Sequence, residues 1–463
     1  MRIRIGAAIA GVTALVAAAS GQPQQIDLIV YNAVVVTMDS TARVLPRGAV
    51  AIQGNSIVAV DAADVIASAF NAKDTLDAGG QIVMPGLINT HTHAPMVLYR
   101  GLADDLALME WLQKYIFPAE AKTVTPEFVR AGTRLAALEM IQSGTTTYAD
   151  MYYFEEEIAR VTREAGLRGV LGQTIIQFPA PDAKTPQDEL VRTEAFLKEF
   201  AGDELITPAI APHAMYTLDR ATLRASRAMA DAHKAPVLIH LAETADESKT
   251  SRKQHKMSPT RYLESLGFWG PRTLAAHAVW LDAADIRILA RHQVGVSHNP
   301  ESNMKLASGT AKVPALRHAG VRVGLGTDGA ASNNDLDMFE AMRQAAFLHK
   351  LTTGDPRAMP ATAALAMATI EGARALQMED VIGSLEAGKR ADLIVVAMTG
   401  ARQTPMYDPV SHLVYVARGT DVRTTIVNGK VLMHDGKMLT LNEAEVIREA
   451  NALAEKVRSA VAR

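Results

Sequence analysis

Short apolar runs alternate with longer helical stretches through the middle of this chain. Leu205–Ala211, Pro236–His240, Thr273–His277, Gly295–His298 and Val321–Thr327 are strand-like, and segments such as Leu218–His233 and Ala283–His292 separate them. Apolar strands without polar alternation are buried on both faces, which is the mark of βα units around a parallel sheet. Repeated over about 290 residues, the pattern predicts an α/β fold, a closed (β/α)8 TIM barrel, with an open doubly wound sheet as the alternative.

The two ends of the chain follow a different rhythm. Ile26–Met38 and Ala49–Val60 are β-rich, the second turned around Gln53-Gly54-Asn55-Ser56. Asp392–Val396 and Thr424–Met433 repeat the pattern, with Asn428-Gly429 and Asp435-Gly436 as turn dipeptides. One small β-sandwich domain built from both ends, residues 25–84 and 377–440, is therefore expected around a barrel at 85–376. Residues 441–463 are expected to form a C-terminal helix, with Glu443–Val461 on the surface.

The start of the chain departs from both patterns. Arg2 and Arg4 precede an apolar run from Ile5 to Ala19 and then Ser20 and Gly21. This layout predicts a signal peptide at 1–24 and a periplasmic or secreted protein, because the run is short of the roughly 20 residues of a stable membrane span. Without processing, the protein would be cytoplasmic.

Composition narrows the chemistry. The 463 residues are 48% hydrophobic and 21% charged with a formal net charge of −3, so there is no basic excess of the kind that neutralises many phosphates, and nucleic acid is not an expected partner. Cysteine is absent, which excludes disulfides, thiolate nucleophiles and Cys-based metal sites. Any metal must sit on His and carboxylates. A small-molecule substrate and a homo-oligomeric assembly are expected.

In a barrel, catalytic residues terminate strands. Gly86-Leu87-Ile88-Asn89-Thr90-His91-Thr92-His93 ends in His-x-His, and alternate strand residues point the same way, so both rings can meet one ion. Three further apolar runs end in His240, His277 and Asp328. One buried His is usually just hydrogen-bonded, but four strand ends closing in ionisable groups call for a reason. His233, His292 and His318 instead close helical segments, on the face of the barrel that serves stability, where the helix dipole favours them.

Imidazoles and a carboxylate with an open position suit a hydrolytic Zn²⁺ ion, which lowers the pKa of bound water toward ~7; Fe²⁺ or Mn²⁺ would accept the same donors. Glu243, opening the loop above His240, is placed to shuttle a proton, although its neighbours Thr244, Asp246 and Glu247 also suit an exposed loop.

Taken together the chain resembles the amidohydrolase superfamily, and within it the 5-methylthioadenosine/S-adenosylhomocysteine deaminases and their triazine-chlorohydrolase relatives. The resemblance runs from about Ile26 to Met438. Its motifs are Met84-Pro85-Gly86-Leu87-Ile88-Asn89-Thr90-His91-Thr92-His93, Gly144-Thr145-Thr146-Thr147, His240-Leu241-Ala242-Glu243, Ser297 through Leu306, Gly326-Thr327-Asp328-Gly329 and Gly388 through Leu393. It implies one divalent metal on His91, His93, His240 and Asp328, with Glu243 as proton shuttle and His277 orienting the metal-bound water. Asp328 would also accept the water's proton. It further implies substrate contacts from Glu120 to the ribose hydroxyls and from His213 to the purine.

The family often places an Arg near Gly172-Gln173-Thr174 that holds the substrate's far end; here the residue is Gln173. A smaller thioether or a plain nucleoside is then expected in preference to a homocysteine carboxylate. The expected function is hydrolytic deamination of an aminopurine nucleoside such as 5-methylthioadenosine, S-adenosylhomocysteine or adenosine. Triazine dechlorination and guanine-type deamination are alternatives on the same site. A non-catalytic scaffold predicts damaged ligand positions, and none is damaged.

Overall fold

The computed structural model describes residues 22–461. The expected signal segment falls almost wholly outside them, and among the described residues no helix is long and apolar enough to cross a membrane.

Eight parallel strands follow one another in chain order: Leu87–Thr92, Thr145–Tyr152, Arg168–Ile175, Ile206–Pro212, Val237–Leu241, Thr273–His277, Gly295–His298 and Arg322–Leu325. The sheet closes where its eighth strand meets its first. There the Asp328 amide donates to the His91 carbonyl at 2.9 Å and the Thr90 hydroxyl to the Leu325 carbonyl at 2.8 Å. Almost every strand residue is buried, which is why these runs carry no polar alternation.

Capped helices separate the strands. Asp282 and Asp285 form a reciprocal capping box on Ala283–Arg291, and Asp219 caps Arg220–His233 through the Thr222 amide. Thr244 caps Ala245–His255 and so fixes where the fifth strand ends and its loop begins.

Both chain ends join in a second, nine-stranded sheet. Its N-terminal strands Gln24–Val36, Val44–Gln53 and Ser56–Ala62 connect to its C-terminal strands Leu393–Val396, Val422–Val427, Lys430–His434 and Lys437–Met438. The seam is Ile82–Pro85, parallel to Gln24–Val36 on one side and antiparallel to Leu393–Val396 on the other. The sheet forms one continuous surface around its own core of Val30, Val50, Ile57, Leu76, Leu393 and Ile426. Two of its strands, Ile82–Pro85 and Phe70–Asp77, were not legible as separate elements.

A buried ion pair, Arg168 Nε to Asp392 Oδ2 at 2.9 Å, links this sheet to the base of the barrel. Helix Glu443–Val461 lies on the barrel side. It buries Val446, Leu453 and Val457 and pairs Lys456 with Glu127 across to the helix Pro126–Gln142.

Candidate active site

Strand ends bring the expected donors together at one mouth. His91 and His93 close the first strand, His240 the fifth, His277 the sixth, and Asp328 follows the eighth. Candidate ligand atoms of His91, His93 and His240 lie within 4.8 Å of one another, as do those of His91, His277 and Asp328. His277 and Asp328 both hold left-handed backbone conformations, φ 70° and 67°. Non-glycine residues adopt that region at a cost, and such costs concentrate at functional sites.

The separations are those of a metal shell. His93 Nε2 is 3.4 Å from His240 Nε2, and Asp328 Oδ1 is 3.5 Å from His91 Nε2 and 3.4 Å from His93 Nε2. Ligands about 2.0–2.1 Å from a tetrahedral ion stand roughly 3.4 Å apart, so these three separations fit one.

Hydrogen bonding leaves the right atoms free. His93 Nδ1–H donates to the Met151 carbonyl at 2.6 Å and His240 Nδ1–H to the His213 carbonyl at 2.8 Å, so each Nε2 keeps its lone pair. His91 Nε2 is buried with no hydrogen-bond partner, which a ligated ion would supply. Burial holds His91 down at about 4 and lowers His93 and His240 as well, so all three rings are neutral donors at neutral pH. Burial opposes the Asp328 carboxylate, yet the surrounding imidazoles, His91 foremost, outweigh it and hold its pKa well below the usual carboxylate range. Ser302 Oγ and the Gly329 amide each donate to Asp328 at 2.7 Å and fix its orientation.

Glu243 is not an exposed loop residue: it is 4% exposed and faces the donors. Its Oε2 lies 3.9 Å from His277 Nε2, which is also 3.9 Å from Asp328 Oδ2. Burial raises the Glu243 pKa, which suits a carboxyl that must carry a proton. For His277 burial works against the charged ring, but the Glu243 and Asp328 carboxylates outweigh it and raise its pKa. The second ring nitrogen, Nδ1, is held by Asn303 Oδ1 at 2.9 Å.

These groups open into a cavity of about 610 Å³, with His213 and Glu120 in its wall. The His213 ring sits 4.7 Å from that of His240, and burial lowers its pKa to about 3. Glu120, on the helix Phe117–Thr123, accepts from Tyr152 Oη at 2.8 Å and is pushed up to about 7 by burial. Trp111, Phe117, Tyr153 and Tyr216 supply flat apolar surface to the same cavity.

Gln173 is the expected site residue that the structure takes out of the cavity. It is completely buried behind the wall, where its Nε2 donates to Asp182 Oδ2 at 2.8 Å and its Oε1 accepts from the Glu155 amide at 3.3 Å. The next residue along the strand, Thr174, points inward instead.

Some groups were not assigned a role from sequence. Glu247 accepts from the Ala242 and Glu243 amides at 3.0 and 2.9 Å and so grips the backbone that carries Glu243. The Thr244-x-x-Glu247 spacing signals a capping box, but the carboxylate reaches upstream of the cap instead. Asn303 and Ser302 lie inside the Ser297–Leu306 motif, which marked the segment and not the contacts.

The Amidohydrolase family model matches residues 82–432. A 5-methylthioadenosine/S-adenosylhomocysteine deaminase of Syntrophobacter fumaroxidans is 48% identical over 432 residues, 93% of this chain and 98% of that one. A 5'-deoxyadenosine deaminase of Methanosarcina acetivorans is 46% identical over 433 residues, 93% and 98% of the two chains. Among solved structures, an adenosine deaminase from Xanthomonas campestris with bound zinc superposes with a TM-score of 0.93 at 39% identity, covering 95% of this chain and all of that one.

Proposed function

The chain belongs to the amidohydrolase family, and from that premise we propose that it is a metal-dependent hydrolytic deaminase of aminopurine nucleosides. The observation that carries the reading is the meeting, in one cavity, of a four-donor metal shell, a buried carboxyl at Glu243 and a second buried carboxyl at Glu120. A hydrolase acting on the carbon–nitrogen bond of an amino-heterocycle uses each of these.

His91, His93, His240 and Asp328 hold one divalent ion, which we take to be zinc from the donor set and the zinc bound by the Xanthomonas relative. When bound, the ion supplies Lewis-acid activation of water. His277 orients the attacking water, with its ring held by Asn303. Asp328 accepts the water's proton. Glu243 protonates the ring nitrogen beside the amine-bearing carbon, so that negative charge does not build up as water adds. The amine then takes the proton held by Asp328 and leaves as ammonia, while the new hydroxyl on the ring carbon gives its proton to Glu243 and becomes the carbonyl.

Elsewhere in the cavity wall Glu120 accepts from the ribose hydroxyls, and His213, beside His240, meets the purine. Gln173 acts only through the wall, by holding Asp182 and the Glu155 amide in place.

Ammonia release from adenosine, 5'-methylthioadenosine, 5'-deoxyadenosine, S-adenosylhomocysteine, guanine and triazines, with metal content measured on the same sample, tests this reading. Ammonia together with inosine-type products from the adenosines supports it. Turnover of guanine or triazines alone contradicts it.

A further inference from the structure

The first barrel strand carries His91 and leads straight into His93, and its pairing with the second strand breaks just before them. Asn89 lies opposite Tyr148, and the next pair is Thr92 with Asp150. Three steps on one strand thus match two on the other, which makes a bulge at Thr90 and His91. Bulges beside active sites re-aim side chains. Thr92 and Asp150 form the last pair, so His93 stands one residue beyond the ladder.

What holds His93 there comes from the second strand and from a helix. The Met151 carbonyl fixes the ring, accepting from Nδ1 at 2.6 Å. The backbone is held by Asp150, whose Oδ1 accepts from the Ala94 amide at 2.6 Å. Ala94 opens the short helix Ala94–Tyr99, so its amide has no partner within that helix. From the other side the helix Pro126–Gln142 presses on the turn: a Cβ on Gly132 would come within 2.6 Å of the Pro95 carbonyl oxygen.

Asp150 is an unusual residue to find in this place. It is fully buried and outside the cavity wall, and its Oδ2 has no hydrogen-bond partner among the described residues. A buried carboxyl that is only half satisfied works against folding. The other buried polar residues that begin the same strand, Thr145, Thr146 and Thr147, are better strand formers. A threonine hydroxyl is shorter by one atom and would fall short of the Ala94 amide.

We infer that Asp150 is a positioning residue for the metal site: it fixes the backbone beyond the bulge so that His93 meets the ion together with the other donors. It touches neither ion nor substrate. The inference rests on the metal shell of the proposed function and on no particular substrate.

Three quantities are measured on the full chain of the parent, Asp150→Thr, Asp150→Asn and Glu189→Gln: zinc affinity by competition with a chromogenic chelator, the melting temperature of the metal-free protein, and the visible spectrum of the cobalt-loaded protein. Asp150→Thr is expected to weaken zinc binding about 10- to 100-fold and to change the cobalt spectrum. Its metal-free melting temperature should stay within about 3 °C of the parent or rise, because a poorly satisfied buried carboxyl is gone. Asp150→Asn keeps an acceptor oxygen in place and should bind zinc within about threefold of the parent. Glu189 also grips a backbone amide, that of Ile176, but no metal donor adjoins it; Glu189→Gln should leave zinc affinity within about twofold. Unchanged zinc affinity and cobalt spectrum in Asp150→Thr overturn the positioning role. So does an equal loss in Asp150→Asn, or a loss of zinc matched by a fall of more than about 5 °C in the metal-free melting temperature. A parent chain that binds no zinc overturns the metal reading and this inference with it.

Discussion

Histidine occurs at both ends of this barrel, and its surroundings differ completely between them. At the strand C-termini, His91, His240 and His277 are buried among one another and Asp328, with ring centres 5.0–5.6 Å apart. At the helix C-termini, His233, His292 and His318 are partly or fully exposed; His292 Nε2 rests 2.9 Å from Glu264 and His233 lies 3.9 Å from Glu194. The residue type is the same. Its place in the βα repeat decides whether it faces the cavity among other rings or rests on the surface beside a carboxylate.

The largest effect should follow from breaking the strand-end set. His91→Ala removes a donor whose Nε2 has no other partner, so metal content should fall well below one ion per chain and ammonia release by at least about a thousandfold. Elemental analysis beside the assay checks both.

Glu247→Ala leaves every donor in place but frees the backbone that carries Glu243. We expect kcat to fall about 10- to 100-fold with metal retained and KM little changed. Glu247→Gln, which keeps one acceptor oxygen, should recover part of the loss. A change in KM alone would make Glu247 a mere support of the cavity wall.

The mouth side also buries acids at a cost to stability. Glu189, at the start of the helix Pro186–Glu199, is pushed from 4.5 up to about 8 by burial, while its Oε2 accepts from the Ile176 amide. Because the folded-state pKa is the higher one, its stabilising contribution is complete below pH 4.5 and is lost as pH rises through about 8. Glu189→Gln should therefore melt a few degrees above the parent at pH 9 and show little gain at pH 4.

The smallest effect belongs to the other face. His292→Ala should change kcat/KM less than about twofold and stability by about 0.5 kcal/mol or less. A large loss of activity there would collapse the distinction between the two faces.

Much of this division was legible before the structure. Thr273–His277, Gly295–His298 and Glu443–Val461 were read with the bounds they adopt, because apolar runs ending in a polar group, and a long amphipathic segment, mark their own limits. The strand-end residues were legible for the same reason. The seam strand Ile82–Pro85 was hidden because it runs straight into the first barrel motif. Gln173 was misplaced because alternation on a buried strand leaves no polar pattern to tell the inward face from the outward one. Glu247 and Asn303 escaped because their roles depend on which amide or ring nitrogen lies nearby in space, and sequence spacing does not carry that.

The central claim is that Glu243 moves the proton while the strand-end donors hold the ion, and one variant separates the two. Glu243→Gln preserves shape and hydrogen-bonding atoms but cannot carry the proton. Measured on adenosine, with metal content determined on the same preparation, the account predicts ammonia release down by about 10²- to 10⁴-fold with the ion retained. Near-normal ammonia release from a metal-loaded Glu243→Gln enzyme would contradict it.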